Sequence, residues 1–160
     1  LDYFKVLKNK KANAKFLFVT GEQPSTILAK VKEKEISATD IIITSTMHKG
    51  VPLHISIFNA SIFFIRPSYS KKASSPTKQG EIMAMGIPLI CNAGVGDTDF
   101  IVEKYNSGTV IEKMNQEAYE NSIQSLIPSD TSHYFAGAQE FFCLETGVDR
   151  FLGIYKRIVK

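Results

Sequence analysis

The chain has 160 residues, 44% of them apolar and 22% charged, with a formal net charge of +3, which is the size of one globular domain able to bury its own core. So small a positive excess, spread over predicted helix faces, excludes the footprint of a dedicated nucleic-acid binder, and no stretch has the length and apolarity of a membrane-spanning helix. Two cysteines, Cys91 and Cys143, lie far apart in apolar surroundings and read as buried free thiols of a reducing, cytoplasmic compartment rather than a disulfide or metal framework.

Leu1, Phe4, Val6 and Leu7 recur at near-helical spacing and predict a first helix that ends at the Asn13-Ala14 turn. Lys5, Lys8, Lys10 and Lys11 form a basic run there, suited to a solvated helix end or to peripheral contact with anionic headgroups at the inner face of a membrane. Residues 15–20 read as a strand, 21–24 as a break, 25–34 as a helix with Ile27, Leu28 and Val31 inward, and 41–44 as a second buried strand. The alternation continues with a helix over 54–59, a strand over 61–65, a helix over 76–85, a strand over 88–91, a helix over 98–105 and a strand over 109–111.

Beyond Asn115 the strands stop, and helices are predicted over 117–126, 132–142 and 147–159. The aromatic residues of that segment, Tyr134, Phe135, Phe141, Phe142, Phe151 and Tyr155, are expected to pack on the core and to bridge to another domain. Strands apolar on both faces and alternating with helices predict a single α/β domain over 1–160. Its fold is a Rossmann-like, doubly wound parallel sheet with helices on both faces and a helical C-terminal segment.

The longest polar connection, residues 68–77, follows a strand and opens a helix, which is where such folds keep their chemistry. In Ser74-Ser75-Pro76-Thr77-Lys78-Gln79-Gly80-Glu81, Ser75 is placed as N-cap and Pro76 at the first helical position. Unpaired helix amides, the positive end of the dipole, the hydroxyls of Ser74, Ser75 and Thr77 and the ammonium of Lys78 then converge on a site for phosphate. Simple helix capping accounts for the same residues. Glu81, one turn on, is placed either for sugar hydroxyls or to complement the dipole. Ile82, Met83 and Met85 are assigned to the sheet side. The Gly94-Val95-Gly96-Asp97 turn permits close backbone approach to a ligand, although without a third glycine it matches a plain turn equally well.

From Ser61 to Cys91 the sequence resembles the C-terminal domain of retaining GT-B glycosyltransferases of the glycosyl transferases group 1 family. The matching parts are Pro67-Ser68 after a strand, the helix pattern Glu-x-Met-Ala-x-Gly-x-Pro at residues 81–88, and the buried strand at 89–91. A looser likeness runs from Lys15 to Ile111 and includes Ile101-Val102 and the strand at 108–111.

The resemblance implies transfer of a hexosyl group from a UDP- or GDP-linked sugar to a glycan or lipid-linked acceptor, in polysaccharide biosynthesis, with no metal and no cofactor beyond the donor. It places Glu81 on the ribose hydroxyls, the helix start at Pro76, Thr77 and Lys78 on the diphosphate, and the loop after Thr44, which carries His48, on the base, largely through backbone. It assigns no catalytic residue. Where the family carries a second glutamate eight positions earlier this chain has Ala73, with Ser74 or Ser75 offering a hydroxyl instead. Where the family has an acidic residue before the Ile-Val pair, this chain has Phe100.

The sequence opens on Leu1 rather than methionine, which predicts a longer natural protein. In the family a strand, and a loop bearing an Arg and a Lys, precede the helix that opens this chain. Their absence predicts an acceptor-binding N-terminal domain outside the chain, an open sheet edge, weak donor binding and no transfer by the isolated domain. A non-catalytic nucleotide- or phosphate-binding module is the alternative, favoured by Ala73. A receiver-type signalling domain ranks last, since Asp40 precedes its strand and Asp97 lies beyond a glycine turn. His48, His54 and His133 lack metal-ligand spacing, and Arg66 suits a phosphate contact or a structural ion pair.

Overall fold

The apolar runs of the sequence become five strands in the computed structural model, which describes residues 1–124, 126 and 130–159. They are β1 (Phe16–Val19), β2 (Ile41–Thr44), β3 (Ser61–Phe63), β4 (Leu89–Asn92) and β5 (Gly108–Ile111). Among the described residues the helices are α1 (Asp2–Lys10), α2 (Pro24–Glu33), α3 (Val51–Ile55), α4 (Thr77–Ala84), α5 (Thr98–Lys104), α6 (Gln116–Ile123), α7 (Ser132–Phe142) and α8 (Leu144–Ile158). All strand pairs are parallel, and helices flank the sheets on both faces with a helical segment at the C-terminal end.

The pairing is divided. β1 and β2 form one sheet, with Phe16 opposite Ile41. β3, β4 and β5 form another, in which Leu89 faces Ser61 on one side and Gly108 on the other.

Side-chain alternation then decides which helix covers which face. Leu89 and Cys91 of β4 pack with Ile82 and Met83 of α4, Ile101 and Val102 of α5, and Tyr134 and Ala138 of α7. Ile90, between them in sequence, points the other way into a cluster with Tyr3 of α1, Ile111, and Tyr119 and Ile123 of α6. β4 is therefore buried on both faces, which its continuous apolar run requires. In the two-stranded sheet, Phe16, Phe18, Ile41 and Ile43 meet Phe4 of α1 and Ile27 and Val31 of α2, whereas Ile42 on the opposite face is 50% exposed.

α1 spans both sheets. Tyr3 meets Phe64 and Tyr119 edge-on and lies within hydrogen-bond distance of the Ser122 hydroxyl at 3.1 Å, while Phe4 meets Phe16 edge-on at 5.2 Å. Leu7 touches the clusters on both sides. Of the basic run, Lys5 pairs with Glu35 at 3.0 Å, Lys8 with Asp40 at 3.0 Å, and Lys10 lies 4.0 Å from Glu120. Three of its four charges thus face carboxylates instead of forming an open cationic patch.

Several expectations shift. Leu28 and Met85 are exposed rather than inward, because α2 turns Ile27 and Val31 to the core and α4 ends at Ala84. The helix expected over 54–59 lies earlier, at Val51–Ile55, with Pro52 in its first turn, where a missing amide hydrogen matters least. The helix expected over 117–126 ends at Ile123; residue 125 lies outside the described residues. Cys143 is half-buried and Cys91 fully buried, both as free thiols.

α7 docks through Tyr134 and Ala138, and Phe141 and Phe142 pack beside them. Phe135, Phe151 and Tyr155 are exposed, and α8 buries no residue. Among the described residues no helix is long and apolar enough to cross a membrane.

Candidate functional site

Beyond β3 the chain is held to the sheet by a side chain rather than by a strand. Asn92, at the end of β4, accepts the Ile65 amide at 2.7 Å and donates to the Ile65 carbonyl at 2.9 Å. That clamp satisfies both backbone groups of Ile65 and launches the polar connection from the C-terminal edge of the sheet. A short 3-10 turn over Tyr69–Ala73 follows, then Ser74, Ser75 and Pro76.

Pro76, not Ser75, is the N-cap of α4, and Thr77 is its first helical residue. The pyrrolidine ring fixes φ at −69°, but ψ is 111°. Pro76 therefore stands in extended backbone and the helix begins one residue later. Among the described residues no side chain caps this end, so amides of the first turn are left to face solvent or a ligand.

A second loop closes on the first. Gly96 has φ +52°, and a Cβ there would stand 1.7 Å from the Ser74 carbonyl oxygen. This approach needs glycine for both its backbone angle and its space. The Gly94 amide donates to Asp99 at 3.0 Å, fixing the turn to the start of α5. Beneath the loops, fully buried Gln79 donates weakly to the Thr98 carbonyl at 3.4 Å, and Gln79 Oε1 and Thr98 Oγ1 have no partner among the described residues. These polar groups under the helix starts escape a reading based on apolar spacing. Gln79 does leave a signal: it is a polar residue on the same stripe as Ile82 and Met83.

On its other side α4 borders a groove of about 420 Å³ against α7, lined by Thr77, Glu81, Phe135, Gln139, Phe142 and Cys143. Phe142 lies so close to Gly80 that a Cβ there would sit 2.4 Å from its ring. Thr77 and Glu81 are thus brought together as expected, with the carboxylate half-exposed at the groove.

His48 also reaches this point: its Nε2 lies 3.4 Å from Oε1 of Glu81. Ser74 is half-buried against the glycine turn, while Ser75 and Lys78 stand exposed beside the helix start. Thr44 is not drawn in by a side-chain contact among the described residues; its carbonyl accepts the Thr20 amide at 2.9 Å, and it ends β2. Arg66 is exposed and makes no ion pair among the described residues.

The chemistry on offer is hydroxyl and amide donation at the α4 start, an adjacent ammonium, and a carboxylate acceptor one turn on. The buried thiol adds nothing to it. Burial, reinforced by the charge of Asp99, pushes Cys91 up to about 12, so it stays protonated and unreactive.

Solved structures with this architecture include sucrose-phosphate synthase from Thermosynechococcus elongatus, at 18% identity and a TM-score of 0.69 over 99% of this chain and 42% of that one. AviGT4, a glycosyltransferase involved in avilamycin A biosynthesis, is similar at 12% identity and a TM-score of 0.67, over 98% of this chain and 46% of that one. WaaG, a glycosyltransferase involved in lipopolysaccharide biosynthesis, is similar at 18% identity and a TM-score of 0.59, over 86% and 36%. The chain therefore spans less than half the length of these structures. No curated protein matches the sequence. The family model described as glycosyl transferases group 1 matches residues 1–136, which takes in the polar connection, α4 and the glycine turn, and the chain belongs to that family.

Proposed function

We propose that this chain is the donor-binding half of a retaining glycosyltransferase that moves a hexosyl group from a UDP- or GDP-linked sugar to a glycan or lipid-linked acceptor. The anomeric carbon–oxygen bond to the diphosphate breaks and a bond to an acceptor hydroxyl oxygen forms. The hydroxyl proton is lost, and the nucleoside diphosphate departs with the bonding electrons.

The observation that carries this reading is the start of α4. Thr77 and Glu81 share a groove there, no side chain among the described residues caps the helix, and the glycine turn lies flush against Ser74. Helix amides and Lys78 suit the diphosphate, and Glu81 suits the paired ribose hydroxyls. The acceptor site belongs to another domain of the protein, so the isolated chain binds donor without transferring it. A nucleotide-binding module without transferase activity is the second reading, favoured by Ala73, which offers no carboxylate at the end of the 3-10 turn.

The test is a calorimetric titration with UDP, GDP and their hexose conjugates, comparing the natural chain with Glu81→Ala. Selective binding of one base, weakened about tenfold or more by the substitution, is expected of a carboxylate accepting two hydroxyls. Equal binding by the two proteins would remove Glu81 from the site. Binding by the full polypeptide without turnover of any sugar conjugate would favour the second reading.

A further inference from the structure

His48 and Glu81 come from separately paired sheets, the histidine following β2 and the glutamate riding on α4 above β4. Their approach, 3.4 Å from Nε2 to Oε1, brings a side chain of one sheet beside the proposed ligand group of the other. The histidine is presented on a constrained turn. The Gly50 amide donates to the Met47 carbonyl at 2.8 Å, His54 Nδ1 lies 2.9 Å from the Gly50 carbonyl, and a Cβ at Gly50 would stand 2.1 Å from Thr46 Oγ1. The turn leads directly into α3, so its backbone is set by local hydrogen bonding even though residues 45–49 stand exposed.

A glutamate has three rotatable side-chain bonds and loses that freedom when it binds. With Nε2 of His48 beside Oε1, Oε2 and the second lone pair of Oε1 remain free to accept the paired hydroxyls, and part of the ordering is complete before the ligand arrives. The His48 side chain is 90% exposed, and so exposed a polar contact adds little to folding. Its consequence therefore falls on binding rather than on stability.

We propose that His48 is a positioning residue that orients the Glu81 carboxylate toward the ribose hydroxyls of a nucleoside diphosphate, an assignment that rests on the role given to Glu81 above. A direct contact with the base would instead make the histidine independent of the glutamate.

The two are separated by a double-mutant cycle in the full polypeptide, titrating UDP and GDP against wild type, His48→Ala, Glu81→Ala and the double variant, with thermal melts of each. Expected is a loss of about fivefold in affinity for His48→Ala, the scale of one exposed polar contact. The same loss should vanish in the Glu81→Ala background, and His48→Gln, whose amide nitrogen reaches the position of Nε2, should restore most of the affinity, with melting temperatures unchanged throughout. If Glu81→Ala weakens binding but His48→Ala has no effect, or has the same effect with and without Glu81, the positioning role is overturned while the donor-site reading stands. If Glu81→Ala leaves binding unchanged, both fall.

Discussion

Two strands of nearly the same chemistry occupy very different places in this molecule. β4 reads Leu-Ile-Cys-Asn and lies between hydrophobic clusters on both faces. β2 reads Ile-Ile-Ile-Thr, the more β-prone of the two, yet among the described residues it packs into a cluster on one face and leaves Ile42 half exposed on the other. Strand propensity does not separate them; their neighbours do. The three-stranded sheet carries the helices and loops that build the candidate site, and the two-stranded sheet contributes the turn that brings in His48.

The largest difference should appear on truncating the central isoleucine of each strand. Ile90→Ala opens space beneath α1 and α6 and is expected to cost about 2–5 kcal/mol. Ile42→Ala, with half its surface already in water, is expected to cost about 1 kcal/mol or less. Urea denaturation of both variants checks this, and similar losses would show that the two sheets are equally secured.

The connecting turns give the next effect. Gly96→Ala forces a side chain onto the Ser74 carbonyl at an unfavourable backbone angle, expected to cost about 1–3 kcal/mol and to weaken nucleoside diphosphate binding. Gly21→Ala, in the β1–α2 connection with nothing within 4 Å of the new carbon, should stay within about 0.5 kcal/mol. Paired melts and titrations distinguish them, and a harmless Gly96→Ala would mean that the two loops do not touch in solution.

The smallest effect lies in the two-stranded half and depends on pH. Hydrogen bonds from Lys15 at 2.8 Å and from Lys8 at 3.0 Å hold the Asp40 carboxyl below its ordinary value. A depressed carboxyl stabilises the fold above the ordinary aspartate range, near pH ~4, and that contribution disappears as pH falls through the folded-state value. Asp40→Asn should therefore be less stable than wild type at neutral pH and converge with it in acid. Urea midpoints measured from pH 7 downward test the sign, and parallel curves would contradict it.

Much of this layout is legible in the sequence, because long apolar runs bounded by breakers leave few options. The continuous run at 88–91 marks β4 within one residue, and the aromatic spacing over Ser132–Phe142 marks α7 at both ends. What is not legible depends on angles and distant partners. Proline at 76 fixes φ for a cap or a first turn alike, and only ψ decides between them. Tyr3 carries a hydroxyl and breaks the apolar count of the first helix, yet it is fully enclosed beside Tyr119 and Ser122, whose positions no local pattern predicts. His48 and Glu81 are likewise joined by the arrangement of two sheets rather than by spacing.

Tyr3 and Phe4 are adjacent in the chain and sink into different clusters. Anchors on successive residues leave no hinge between them, so α1 behaves mechanically as a rivet through both halves. Peeling α1 away would uncover an aromatic socket in each half together, leaving the turn that carries His48 beside Glu81 as a remaining link between them.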